Sequence, residues 1–355
     1  MSDVRLTLIG PMPPPIDGQS MVMCHMVSEL RPHFTRMRIA DISAGDAVSW
    51  LRPVVKLRRS ASAWWSIPRS DAVYIAVKAG QGMWLTTAAA GLARLAGVRV
   101  FLHHHSYTYV RERKPRMVAL TRAAGPRAHH IVLSKSMASE LRAVMPELRR
   151  SLVIGNAGLV DRTLLELPLK ADGVELVLGH LSNLYLEKGI AEVVDLASAL
   201  HQSGTRVRLV VGGPTVDGQS RRHLDRAARE LGELFEYRGL LTGQAKRDFF
   251  EDITHFVFPS RYAHESMPLV LYEAMAAGAV CVTARWGSIS EQLEGSPGVL
   301  AGSVDSFVEE TLPVLVDAGA STADSRESRQ AYLRALAESE RQLADFVTLL
   351  ASRDC

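Results

Sequence analysis

Short apolar runs alternate with segments of helical period along nearly the whole chain, and the series runs through twice. Residues 4–9, 73–77, 99–103, 130–133 and 152–154 read as strands, with helices at 21–30, 83–95 and 135–144 between them. After a polar break containing Pro and Gly at 159–173, strands at 174–179, 207–211, 235–239, 255–258 and 280–283 alternate with helices at 190–202, 221–231, 244–253 and 269–277. Strands apolar on both faces and separated by helices call for a parallel sheet covered on both sides. Two such series in 355 residues, 47% of them hydrophobic, predict an α/β chain of two doubly wound domains. The expected division is an N-terminal domain over 1–165, a C-terminal domain over 174–324 and a helical segment over 325–355. That last segment either packs on its own domain or returns to the first.

Charge is distributed unevenly. Residues 1–172 carry 24 Lys and Arg against 12 Asp and Glu, and the remainder 17 against 26. A basic half joined to an acidic half predicts an anionic partner for the first, such as a phospholipid surface or a lipid-diphosphate acceptor. Nucleic acid is not expected, because neither an aromatic-studded RNA motif nor zinc spacing is present. Cys24, Cys281 and Cys355 are scattered and read as reduced thiols. No run reaches the roughly 18 apolar residues of a membrane span, and the start Met-Ser-Asp-Val-Arg puts charges where a signal peptide would be apolar. A cytoplasmic protein is expected, with a peripheral seat at the inner face of the membrane as a variant.

The strongest chemical signal lies in residues 259–278, which follow a strand and open a helix. Pro268 suits the first helical turn and Gly278 the position just past the end. Backbone N–H groups around Ser266, Met267, Pro268 and Leu269, with the positive end of the helix dipole, would form an anion site at the carboxyl edge of the sheet. Glu265 precedes that site and Glu273 lies along the helix. Two carboxylates flanking a phosphate cradle suit a diphosphate carrying hydroxyls on both sides, as in a nucleotide sugar.

Glu265 and Glu273, seven residues between them and Ala-Met-Ala-Ala-Gly following, resemble the signature of family 4 retaining glycosyltransferases. The resemblance implies a GT-B fold: two Rossmann-like, doubly wound parallel-sheet domains facing a cleft. It assigns Glu265 to the donor sugar's hydroxyls and Glu273 to the ribose. Residues 178–189 are similar to the family's strand, loop and Lys-Gly helix start, which makes Lys188 the cation on the donor diphosphate. Many relatives carry an Arg five or six residues earlier. Ser182 and Asn183 stand there instead, leaving the second cation to hydrogen bonds or to Arg261. Gly212 and the pair Gly239 and Leu240 resemble strand ends bordering the base pocket. The proline-stiffened loop ending in Gly18 is similar to the family's N-terminal loop, with Ser20 as a candidate helix cap. That loop is no G-x-G-x-x-G fingerprint, which argues against a dinucleotide oxidoreductase.

Of the three histidines ending the strand at 99–103, His103 and His105 share a side if the chain stays extended. The resemblance places a histidine of this strand end by the reacting sugar. A metal site is not expected there, since three adjacent histidines cannot converge. Asn156 resembles a residue near the family's interdomain hinge and reads as structural. Residues 50–65 mix Trp with Arg and Lys, and residues 111–116 form a second basic cluster; the first suits a helix in a membrane interface, or one packed with Trp inward.

The implied activity is metal-independent, cofactor-free transfer of a sugar, with retention, from a nucleotide-sugar donor. The acceptor is a saccharide, glycolipid or lipid-linked saccharide. A sugar-nucleotide epimerase and a non-catalytic nucleotide-sugar-binding protein are the alternatives.

Overall fold

The computed structural model describes residues 2–14, 18–43, 51–173, 175–316, 319 and 321–352. By its internal contacts the chain divides into two compact units, Met1–Leu159 with Glu338–Cys355, and Val160–Ala337.

The first unit runs β1 (Ser2–Gly10), α1 (Gly18–Leu30), β2 (Phe34–Asp41), α2 (Arg52–Ser66), β3 (Ala72–Val77), α3 (Met83–Leu95), β4 (Arg99–His104), α4 (Pro115–Ala124), β5 (His129–Val132), α5 (Lys135–Val144) and β6 (Arg150–Val153). The strands form one parallel sheet in the order β2-β1-β3-β4-β5-β6. Every residue of β3 is buried, so its continuous apolar run is readable. β2 was not expected: it is an edge strand whose outward Arg36 and Arg38 break the apolar run. The helix α1 begins at Gly18, so Ser20 is inside the helix and buried, not its cap.

The second unit runs β7 (Leu176–Leu181), α6 (Ile190–Gln202), β8 (Val207–Gly212), α7 (Gly218–Leu231), β9 (Phe235–Gly239), α8 (Gly243–Asp252), β10 (His255–Phe258), α9 (Leu269–Ala276), β11 (Val280–Ala284), α10 (Ile289–Gln292), β12 (Val299–Ala301) and α11 (Phe307–Val316). Its parallel sheet has the order β12-β11-β10-β7-β8-β9. The three-residue β12, also unexpected, is again an edge. The chain leaves β7 in one direction through β8 and β9, then returns to its other side as β10. The crevice beyond the carboxyl ends of β7 and β10 is therefore a topological switch point, where doubly wound sheets bind ligands.

The last helix, α12 (Thr322–Ala351), belongs partly to each unit. Its first turns are tied to the second unit, where Ser328 donates to Ala279 O (2.7 Å) and Arg329 to Ala276 O and Leu167 O. Its last turns lie in the first unit, where Phe346 and Leu350 are fully buried in the core.

Candidate functional site

At the switch point the loop after β7 meets the loop after β10. Ser260 is completely buried and its hydroxyl donates to Glu187 O (3.4 Å), while Arg261 N donates to the same carbonyl (2.8 Å). These bonds bring Lys188 against Glu265, and the ammonium donates to Glu265 Oε2. Both side chains are largely buried, at 16% and 12% exposure, so this pair is shielded from bulk water. Lys188 also stands over the Tyr262 ring, 4.7 Å from its centroid, and Tyr262 stacks on Tyr185. Gly189 carries the turn: its φ is +89°, and a Cβ there would stand 2.4 Å from Pro259 O.

Beyond Glu265 the chain enters α9 through Pro268, which is the cap residue in extended conformation. The proline thus sits one step ahead of the expected first turn. No acceptor for the N–H of Leu269 or Val270 is found among the described residues, as expected for a helix start. Gly278, at φ +77°, ends the helix just past Ala277. Ser266 and Met267 are buried; Ser266 O accepts from Ser288 N (2.9 Å), and the Tyr272 hydroxyl donates to Met267 Sδ (3.6 Å). Glu273 pairs with Lys246 on α8 at 2.6 Å. The two glutamates therefore each have their own lysine and are not drawn onto one common partner. Lys246 escaped the sequence reading because nothing local marks it; only the packing of α8 on α9 does.

The other donor candidates fall at the same edge of the sheet. Gly212 ends β8, and Gly213 beside it has φ +108°, with Ser182 O where a Cβ would stand, 1.7 Å away. That glycine lets the loop after β7 lie directly on the end of β8. Gly239 ends β9, with Leu240 71% exposed beside it and Asn183 exposed in the β7 loop. The buried His180 donates from Nδ1 to Val257 O (2.9 Å), so its Nε2 accepts the Ser182 hydroxyl proton at 3.0 Å. Burial pushes the His180 imidazole down to about 4, fixing that neutral tautomer. The Ser182 hydroxyl is thereby committed as a donor to His180 and is not free to take the place of an arginine on phosphate. Arg261, the other candidate for the second cation, pairs with Glu192 and with Asp305 (3.3 Å).

In the first unit β4 ends in His103 and His104, and His105 follows it. His103 and His105 do lie on one side, ring centroids 4.1 Å apart, while His104 turns away to Tyr109 and His130. His103 Nδ1 meets the Tyr74 hydroxyl at 2.5 Å, whereas His103 Nε2 and both nitrogens of His105 are buried without a hydrogen-bond partner among the described residues. Burial holds His103 well below the usual histidine range and His105 at about 4. Both are neutral near pH 7. Gly18 begins α1 with open space around it; residues 15–17 of its loop lie outside the described residues. Asn156 is buried and its carbonyl accepts from Leu159 N (3.1 Å).

The expected basic clusters fare differently. In residues 111–116, Arg111 pairs with Glu140, Arg113 with Glu147 and Lys114 with Glu112, so that cluster is largely neutralised. Residues 51–66 form a helical stretch whose Val54, Leu57 and Trp65 are 62%, 56% and 72% exposed; Trp65 is not a core residue. Trp50 lies outside the described residues.

Residues 175–317, which contain both switch-point loops and α9, match the family model described as glycosyl transferases group 1. That stretch, under half of the chain, is similar to the group 1 glycosyl transferases. Over 125 residues the chain is 30% identical to the provisionally named glycosyltransferase EpsF of Bacillus subtilis (strain 168), covering 35% of this chain and 31% of EpsF. The match thus spans under a third of that relative's length. Among solved structures, Anabaena Alr3699/HepE in complex with UDP superposes with a TM-score of 0.70 at 16% identity, over 97% of this chain and 99% of that one. The sucrose-phosphate synthase of Thermosynechococcus elongatus gives 0.68 at 15%, over 98% of each chain. At such identities the likeness speaks for the fold, which is the two-domain α/β GT-B fold. The group 1 stretch includes Lys188, Glu265, Lys246 and Glu273, and excludes the histidines of β4.

Proposed function

We propose that the chain is a retaining, metal-independent glycosyltransferase. It moves a sugar from a nucleoside-diphosphate sugar to the hydroxyl of a lipid-linked saccharide or glycolipid. The observation that carries this reading is the shielded Lys188–Glu265 pair at the switch point, beside the free amides that open α9. In the free protein Glu265 occupies the ammonium. A donor diphosphate would take its place on Lys188 and on the helix amides, releasing the carboxylate toward the sugar hydroxyls. The acceptor oxygen then bonds to the anomeric carbon, the bond from that carbon to the diphosphate breaks, and the acceptor's proton leaves with the diphosphate. Lys188 and the helix end stabilise the charge that develops on the leaving group. Glu273, held by Lys246, is assigned to the ribose. Support for the donor class comes from HepE, which has been solved with UDP and with UDP-glucose.

His103 and His105 are assigned to the sugar end; neutral rings with unpaired nitrogens can exchange hydrogen bonds with hydroxyls without adding charge. The acceptor is assigned to the first unit, and a peripheral seat at the cytoplasmic face of a membrane belongs to the same proposal. Its support is the exposed face of α2, where Val54, Leu57 and Trp65 stand with Arg58, and Arg69 just past the helix lies over the Trp65 ring at 5.1 Å. Among the described residues no helix is long and apolar enough to cross a membrane.

Mass spectrometry of products from a donor-by-acceptor matrix tests the proposal, with lipid-linked acceptors presented in anionic vesicles alongside soluble saccharides. A transferred sugar, requiring Glu265 and unaffected by a chelator, is the expected result. Release of an isomerised donor without any acceptor would identify an epimerase. Donor binding with neither transfer nor hydrolysis would identify a binding protein. Either result overturns the proposal.

A further inference from the structure

The amino-terminal edge of the first unit's sheet, opposite the edge that carries the histidines, holds a cavity of about 360 Å³. It lies where α3 and α4 end and β4, β5 and β6 begin. Arg94, Arg99, Arg127, Arg150 and His129 contribute to its wall, and among the described residues no Asp or Glu does. Two of these cations have structural work. Arg94 donates to Arg122 O (2.8 Å) near the end of α4, and Arg99 donates to Leu349 O and Leu350 O at the end of α12. Arg127 and Arg150 are exposed and have no side-chain hydrogen bond or ion pair to any described residue. His129 is only 7% exposed, stacks on Phe101 at 4.9 Å, and has a buried Nδ1 without a partner among the described residues.

Bringing four guanidinium groups and an imidazole around one cavity, with no carboxylate among the described residues of its wall, leaves a positive potential there. Its effect is visible on His129: burial, then the charges of Arg150 and Arg99, push the imidazole down to about 4. Guanidinium forks match phosphoryl oxygens in pairs, and cavities of roughly 300–1,000 Å³ accommodate small ligands. We infer that this cavity is a binding site for a phosphoryl group carrying at least two negative charges, with Arg127 and Arg150 as its principal ligands. The ligand is either a soluble diphosphate or phosphate ester, or the phosphate headgroup of a lipid. The site is separate from Lys188 and α9. It is separated from His104 by the length of β4, roughly 16 Å at 3.3 Å per residue.

Titration of the full chain with inorganic pyrophosphate tests this, read by calorimetry and by the His129 ring resonances, assigned through His129→Gln. A second arm measures co-sedimentation with phosphatidylcholine vesicles with and without phosphatidic acid. The expected result is a saturable His129 shift, or binding specific to the phosphatidic acid vesicles, and the arm that responds identifies the source. Arg127→Ala combined with Arg150→Ala should weaken that binding at least about tenfold, since two charge-assisted contacts are lost. Lys188→Ala should leave it in place. Both arginines are exposed, so the double variant should melt as the parent does. Should it fail to fold, Arg127→Gln and Arg150→Gln serve singly. No response in either arm overturns the inference, as does undiminished binding by a folded variant or loss of the binding on Lys188→Ala.

Discussion

Lys188 and Glu265 pair with each other in the free protein, so under the proposed function a donor phosphate would compete with a carboxylate already in place. This gives the two substitutions opposite signs. Lys188→Ala should lower UDP affinity at least about tenfold, the order expected for losing a charge-assisted contact. Glu265→Gln should bind UDP at least as tightly as the parent and yet lose transfer. Calorimetry with UDP separates the two, and equal weakening by both would sink the competition argument. Of this pair, each residue could be named from its motif, but their contact could not. It depends on Ser260 and Arg261 N both reaching Glu187 O, and on glycine at 189, where any side chain would strike Pro259. Ser182 shows the converse. Its position invites a role on phosphate, but the tautomer of His180 spends its proton elsewhere.

Two strands that escaped the sequence have mixed surroundings; the helices α4, α10 and α11 were not read from it either. β2 and β12 are edge strands, with one side free of the ladder, and β2 turns Arg36 and Arg38 outward, so the continuous apolar run of a central strand is missing. α12 was legible as a helix from its period, whereas its division between the units was not, because the same apolar stripe would serve either. In the first unit Phe346 meets Phe101 edge to face at 5.5 Å and lies 6.3 Å from Tyr74, and Arg99 holds the carbonyls of Leu349 and Leu350. Phe346→Ala should therefore destabilise the first unit by about 3–5 kcal/mol, the usual cost of emptying an aromatic site in a core. Urea unfolding followed by a probe in that unit measures it; a loss well under 1 kcal/mol would mean the last turns are not anchored.

Across the whole molecule, several imidazoles are buried neutral. Burial sets His105, His180 and His255 at about 4 and His130 at about 3, and holds His103 and His104 well below the usual range. A histidine whose folded pKa is depressed binds fewer protons in the native state than in the unfolded one. Stability is then complete above the unfolded value near 6.5 and is lost as pH falls from there toward about 4. For an imidazole held at about 4 the loss is about 2 kcal/mol by about pH 5. Melting temperature should drop markedly between about pH 7.5 and pH 5, and an unchanged melting curve would show that the histidines are hydrated. Charge follows the same logic of placement. The excess in the first half was visible in the residue counts, yet the cluster at 111–116 is paired off, and unpaired Arg127 and Arg150 stand instead at the amino edge of the sheet.

From the sequence alone came the doubly wound pattern, the repetition of it, and the run from Glu265 to Gly278. Periodicity and glycine placement are local, and local rules act on neighbours along the chain. Which lysine meets which glutamate, which histidine turns away from its neighbours, and where arginines gather without acids were decided by packing. Those contacts join residues far apart in the chain, and only the assembled sheets bring them within hydrogen-bond reach.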